Sequence, residues 1–267
     1  MFGSELAAST SSRTGRTWYR CYGSEFVGLR VRAMHVQRML RRVKSPRQIL
    51  DAGCGDGSYT FHLARRFPEA RVLGIDASAQ LIDDCERRRT RRVTSNLVFE
   101  RLSLIELSPQ NRYDLILCID VLEHLVEDGV ALQNLQAALS PGGFLILHVP
   151  QRRSLNRHTW RPLGDEYVRE HVREEYSEDE IKRLIAESGL EVLARRYTFG
   201  ILGALAREIY YTLDPWPRAP RRMLLAAIFP VLLALAVGDT WLGNLERHQG
   251  FLLLLRRVDG RPDGACR

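Results

Sequence analysis

The stretch Ile49-Leu50-Asp51-Ala52-Gly53-Cys54-Gly55-Asp56-Gly57-Ser58 places three glycines at alternate positions between a β-rich apolar run and a stretch of helical character. At such a junction in an α/β sheet a nucleoside binds outside the strand ends, and glycines let the backbone come close to it and adopt positive φ. The G-x-G-x-x-G of a dinucleotide binder is incomplete, because position 58 is Ser. Asp51 and Asp56 bracket the loop with negative charge. That charge repels a pyrophosphate and suits ammonium and sulfonium groups, so the electrostatics favour S-adenosylmethionine over NAD. Asp76 closes the run Val72-Leu73-Gly74-Ile75-Asp76, where a carboxylate can accept from both ribose hydroxyls. Its other reading is an N-cap for a helix beginning near Ala79.

Histidines supply the candidate proton chemistry. His124 follows the apolar run Tyr113–Ile119, and an imidazole with an unperturbed pKa of ~6.5 suits removal of a proton from a phenol or alcohol. Ordering the loop or touching the ligand is the alternative role. Of His148, His158 and His171, the last, in Glu170-His171-Val172-Arg173, is the second candidate on the acceptor side, and each has a structural alternative. Asp120 and Glu123 stand near His124, but the hard-metal signature of some catechol-modifying enzymes is not recognisable, and no metal is assigned.

Positioning these groups requires strands that end together. Short apolar runs at Gln48–Ala52, Arg71–Asp76, Leu97–Arg101, Tyr113–Ile119 and 143–149 alternate with helical stretches, which signals a parallel sheet covered on both faces. Residues 24–43 carry Leu29, Ala33, Val36, Leu40 and Val43 at helical spacing. Ser177 followed by Glu180 forms a capping-box pattern for a helix over 177–188, ending at Gly189. Strands are expected at 191–198 and 251–257. Between them, Met223 to Gly238 is a run of 16 residues without a charge, preceded by Arg218, Arg221 and Arg222 and flanked by Trp216 and Trp241. A spanning helix needs about twenty residues, and Pro230 is expected to interrupt this one. Lipid contact over 218–242, with Leu232 and Leu235 facing outward, and burial against the sheet or a second copy remain open readings.

These residues resemble the class I S-adenosylmethionine-dependent methyltransferases over about residues 18–200. The glycine loop and Asp76 are joined by Tyr113-Asp114-Leu115-Ile116-Leu117-Cys118-Ile119-Asp120-Val121-Leu122-Glu123-His124-Leu125, similar to that family's fourth strand. Leu139-Ser140-Pro141-Gly142-Gly143-Phe144-Leu145 is similar to its turn into the fifth. The D-V-L-E-H-L block and the arginine-bearing N-terminal helix look most like the branch of ubiquinone-type O-methyltransferases. The resemblance implies S-adenosylmethionine as cofactor, with methionine-end contacts at Asp51, Gly53, Cys54 and Gly55. Ribose contacts fall at Asp76 and adenine stacking near Ala77, and Ile119 ends the neighbouring strand. Ser103 stands where the family usually places an Asp for the adenine amino group, so recognition there leans on the backbone of Leu104. Arg32 matches an arginine that grips the cofactor carboxylate in the quinone branch; a solvated helix face is the other reading.

Composition bounds the rest. The chain has 267 residues, 45% apolar and 27% charged, which fits one elaborated globular domain and excludes a collagen-like or wholly disordered chain. Five cysteines without C-x-x-C spacing argue against a disulfide framework or a zinc site and for a reducing cytoplasm. The net charge of +7 resides in the N-terminal arm: residues 1–47 carry +8 and the remainder −1, which disfavours nucleic acid as a partner. The expected architecture is an α/β, Rossmann-like, doubly wound seven-stranded sheet with its last strand antiparallel, an N-terminal helix and an apolar helical insertion between the last two strands. Residues 1–17 and 259–267 are expected to be mobile tails, 18–200 with 250–258 the cofactor-binding domain, and 201–249 a helical cap over the acceptor. The expected activity is methyl transfer to a small apolar or lipid-like acceptor, with oxygen favoured, by a cytoplasmic protein that touches the inner membrane face and pairs with a second copy. RNA or protein methylation and a non-catalytic cofactor-binding role are the alternatives.

Overall fold

The computed structural model describes residues 27–91, 95–108, 112–151, 176–198, 200–213, 217–238 and 250–258. Helix α1 (Val27–Leu40) precedes β1 (Gln48–Ala52), α2 (Ser58–Arg66), β2 (Arg71–Asp76), α3 (Ala79–Thr90), β3 (Leu97–Arg101) and β4 (Tyr113–Ile119). Then follow α4 (Asp128–Ala138), β5 (Leu139–Pro150), α5 (Glu178–Ser188), β6 (Leu190–Thr198), α6 (Ile201–Thr212), α7 (Arg218–Gly238) and β7 (Gly250–Arg257). The strands form one seven-stranded sheet in the order β3-β2-β1-β4-β5-β7-β6. β1 to β5 pair in parallel, and β7 runs antiparallel to both β5 and β6.

The central strands read as continuous apolar runs because both faces are covered. Leu115, Ile116, Leu117 and Cys118 of β4 are fully buried. Val36, Leu40, Leu63 and Ile82 from α1, α2 and α3 cover one face, and Leu132, Leu135, Ile181 and Ile185 from α4 and α5 cover the other. The chain leaves β1 toward β2 on one side and returns to β4 on the other, so the ends of β1 and β4 flank the switch point where such sheets bind ligands. Ser177 and Glu180 form the expected capping box of α5, and Gly189 ends it in the left-handed conformation.

Three local features differ from expectation. β5 begins at Leu139, not at 143: Leu139 pairs with Tyr113 and Phe144 with Leu115, so the Pro-Gly-Gly segment is looped out within a continuing strand. A Cβ at Gly143 would lie 2.8 Å from the Ser140 carbonyl oxygen and 2.9 Å from that of Tyr113, which fixes glycine at this bulge. Pro230 does not break α7, which runs 21 residues through it. Proline removes one ladder bond, but packing on both sides of it holds the helix together.

The third difference is what α7 packs on. Leu225, Phe229, Leu232 and Ala236 form a cluster with Ala206 of α6 and Val31 of α1, and the Arg30 guanidinium lies 5.3 Å over the Phe229 ring. Leu232 therefore points inward, contrary to the lipid-facing expectation, because its position shares the Leu225–Phe229 stripe. Met223, Ala227, Pro230, Val231 and Ala234 line the exposed side. No helix among the described residues is long and apolar enough to cross a membrane. The tails at 1–17 and 259–267, and 239–249 of the insertion, lie outside the described residues.

Candidate functional site

Gly53, Gly55 and Gly57 hold φ of 75°, 53° and 73°. The amides of Gly53 and Cys54 both donate to the Ile75 carbonyl at 2.8 Å, which ties the loop after β1 to the end of β2. A Cβ at Gly53 would fall 2.3 Å from Val121 Cγ2, whereas one at Gly55 would meet no atom within 4 Å. The loop is thus packed where it faces β4 and open at Gly55.

Asp76 is held by this loop. Its Oδ2 accepts from the Gly55 amide and its Oδ1 from the Ser78 amide, each at 2.9 Å. The N-cap of α3 is Ser78, whose hydroxyl accepts from the Leu81 amide, so Asp76 is not that cap. With about four acceptor sites on a carboxylate, two remain for a ligand. From below, Arg88 donates Nη1 to the Asp56 carbonyl at 2.6 Å and Cys85 Sγ to the Gly55 carbonyl at 3.4 Å. Nothing in the run Arg87-Arg88-Arg89 marks its middle arginine as the buried one that pins the loop.

Asp51 faces inward. It is 2% exposed, and its Oδ2 accepts from Thr60 Oγ1 at 2.6 Å. Burial pushes its carboxyl up to about 7 against the pull of the Thr60 bond, helped by the nearby Asp56 and Asp76 charges. The negative bracket expected around the loop is therefore weaker on this side. Cys54 is buried beside Cys85, and that neighbour together with burial pushes its thiol up.

On the far side of β2, Ala77 is exposed and its carbonyl accepts from Arg101 Nε at 3.2 Å. Ser103 caps a short 3-10 turn at Leu104–Glu106, its hydroxyl accepting from the Ile105 amide at 3.4 Å. The carbonyls of Leu104 and Ile105 accept from Asn134 Nδ2 at 3.0 and 2.9 Å, which leaves the turn anchored to α4.

β4 ends at Ile119, half-buried, and Asp120 follows with a φ of 55°. A left-handed residue other than glycine is uncommon and concentrates at functional sites. Its carboxylate pairs through Oδ2 with Arg32 Nη1 from α1 and through Oδ1 with His148 Nδ1 from β5, and its amide donates to the His148 carbonyl at 3.1 Å. His148 Nε2 lies 2.8 Å from Thr198 Oγ1 at the end of β6. Arg32 is thus no solvated helix face: it is drawn to the end of β4, and its Nε is buried without a hydrogen-bond partner. Burial and the Arg32 guanidinium hold His148 well below its usual range.

His124 sits half-buried in the 3-10 turn Leu122–His124, with its amide donating to the Val121 carbonyl at 3.0 Å. Glu123 beside it is 2% exposed, and its Oε2 has no hydrogen-bond partner. Burial pushes its carboxyl up to about 7, opposed by its own backbone hydrogen bond and by Arg32. His158 and His171 lie outside the described residues. No group of three or more His, Cys, Asp and Glu able to hold a metal occurs among the described residues.

A family model described as a methyltransferase domain matches residues 30–195. Trans-aconitate 2-methyltransferase of Methylobacterium nodulans is 33% identical over 106 residues, 40% of this chain and 39% of that protein, so the chain matches well under half the length of such a relative. Coclaurine N-methyltransferase bound to N-methylheliamine and S-adenosylhomocysteine superposes with a TM-score of 0.59 at 19% identity, over 85% of this chain and 72% of that one. A (4+2)-cyclase superposes with a TM-score of 0.60 at 18% identity, over 85% and 81%. These two likenesses are of fold alone, and the cyclase illustrates that one sheet supports more than one chemistry. The family model spans the sheet from α1 to β6 and takes in the glycine loop, Asp76 and the Asp120 turn, and on that match the chain belongs to the methyltransferase domain family.

Proposed function

We propose that this chain transfers a methyl group from S-adenosylmethionine to an oxygen of a small acceptor bound at the C-terminal edge of the parallel strands. The observation that carries this reading is the left-handed glycine loop, open at Gly55 and joined to an Asp76 carboxylate with acceptor sites to spare. Those residues fit the cofactor: Gly53, Cys54 and Gly55 offer close backbone approach, Asp76 accepts from the ribose, and Ala77, Ser103 and Leu104 border the adenine. Ile119 leads to the Asp120 turn, and Asp51 supports the loop from beneath. Bound there, S-adenosylmethionine supplies a methyl group on a cationic sulfur. The chain's own task is alignment and exclusion of water.

His124, at the end of the 3-10 turn after β4, is the group that takes the acceptor's proton or orients it; His171 is the second candidate. The insertion leaves the sheet after β6, at the same edge as the cofactor loop, and packs on α1, the helix that carries Arg32. This supports an apolar wall for the acceptor. A second reading, a small carboxylate, is favoured by the trans-aconitate 2-methyltransferase relative. The exposed stripe Met223, Ala227, Val231 and Ala234, on a helix that opens with Arg218, Arg221 and Arg222, supports contact with an anionic membrane surface.

Calorimetric titration with S-adenosylmethionine and S-adenosylhomocysteine tests the cofactor, and transfer of labelled methyl to trans-aconitate and to extracted lipids separates the acceptors. Binding of both nucleosides with label entering one acceptor class is expected. No binding of either would overturn the reading.

A further inference from the structure

Four side chains, from three elements and the turn after β4, form one continuous contact: Arg32 of α1, Asp120, His148 of β5 and Thr198 of β6. We propose that His148 is a positioning residue that, through Asp120, fixes the Arg32 guanidinium toward the carboxylate of the cofactor's methionine end, with Thr198 setting the imidazole tautomer. This rests on S-adenosylmethionine being the ligand.

For a neutral ring the hydrogen bonds leave one arrangement. An ionised carboxylate only accepts, so the Asp120 contact requires a proton on His148 Nδ1. A neutral ring then has only a lone pair on Nε2, and Thr198 must donate its hydroxyl proton to it. Burial at 3% exposure favours that neutral ring. His148 thus spends its one N–H on Asp120, which leaves the other carboxylate oxygen to Arg32 Nη1. One further observation points to a ligand beyond this contact. Arg32 Nε is buried with no acceptor, so the guanidinium keeps a donor unspent, and a carboxylate matches its fork. From a left-handed backbone with φ of 55°, the Asp120 carboxylate reaches both α1 and β5. The strand pairing protects the contact, since a Cβ at Gly250 would lie 2.7 Å from His148 Nε2 and 2.9 Å from Thr198 Oγ1.

The experiment is a double-mutant cycle on the full chain, read as affinity for S-adenosylhomocysteine by calorimetry. Arg32→Ala is expected to weaken binding about tenfold or more, as loss of a charge-assisted bond does. His148→Gln is expected to weaken it about five- to tenfold in the natural background and less than about twofold in the Arg32→Ala background, because its effect passes through Arg32. Thr198→Val, nearly isosteric, is expected to repeat the pattern at smaller size and stands in should His148→Gln not fold. Nitrogen NMR of the ligand-free protein is expected to report a neutral ring protonated on Nδ1 at pH 7. Equal losses in both backgrounds, or an imidazolium at pH 7, would overturn the assignment. Failure of the natural chain to bind S-adenosylhomocysteine would overturn the methyl-transfer reading with it, whereas binding without the coupling overturns this assignment alone.

Discussion

In the half of the sheet from β3 to β4, the C-terminal edge is built from backbone amides and one carboxylate, tied to one another by bonds between adjacent strand ends. In the half from β5 to β6, the same edge is organised by side chains that reach across strands and, through Asp120, to α1. A backbone-built site tolerates change in most side chains and depends on a few glycines; a side-chain-built site can change what it recognises one residue at a time. The contrast fits a backbone-built cradle at the ends of β1 and β2 and, beside it, a side-chain contact that ties α1 to β4, β5 and β6.

Separating the two halves gives the largest expected effect. His124→Ala should lower turnover about 10²- to 10⁴-fold while affinity for S-adenosylhomocysteine stays within about twofold, if the acceptor side uses a base. Parallel kinetic and calorimetric measurements decide it, and natural turnover in the variant would leave alignment alone to account for the rate.

Glu123→Gln probes the seam between the halves through stability. The carboxyl is raised from its ordinary 4.5 to about 7 by burial, so its contribution to stability is full below about 4.5 and is lost as pH rises through 7. Glutamine stays neutral. Urea unfolding should therefore find the variant more stable than the natural chain at pH 8, by up to about 3 kcal/mol, and nearly equal to it at pH 4. Equal stability at pH 8 would mean that the buried carboxyl finds a partner in solution.

Asp76→Ala should weaken S-adenosylhomocysteine binding by about 1.5 to 3 kcal/mol with the fold intact, since it removes charge-assisted bonds on the cofactor side alone. Unchanged affinity would remove Asp76 from the site. The smallest effect is expected on the exposed face of α7: Val231→Asp should change stability by no more than about 0.5 kcal/mol, yet release the protein from anionic liposomes in a sedimentation assay. Leu232→Asp, one position along, would bury a charge in the hairpin and is the destabilising control.

The half of the sheet from β3 to β4 was largely legible in the sequence. Gln48–Ala52, Arg71–Asp76, Leu97–Arg101 and Tyr113–Ile119 begin and end in the structure where apolar runs and turn residues place them. Glycine spacing and the Ser177–Glu180 pair are likewise signals confined to a few neighbouring residues. What stayed hidden depends on partners far along the chain. His148 meets Asp120 across 28 residues and Thr198 across 50, and Arg88 meets Asp56 across 32. The inward turn of Asp51 was missed for a related reason, since charge read along the sequence does not tell which carboxylate loses its water. Leu232 was misassigned because a uniformly apolar helix carries no contrast from which to read its buried side.

The 51 residues from 199 to 249 leave from Thr198 and return at Gly250, and these two residues face each other in the β6–β7 ladder. Topologically the whole excursion is the loop of an antiparallel hairpin, however elaborate its helices. Closure entropy grows only with the logarithm of loop length, so the sheet registers little difference between a short turn and two helices at this point. The position is thus a natural splice site: its contents can be exchanged or resized without moving a strand.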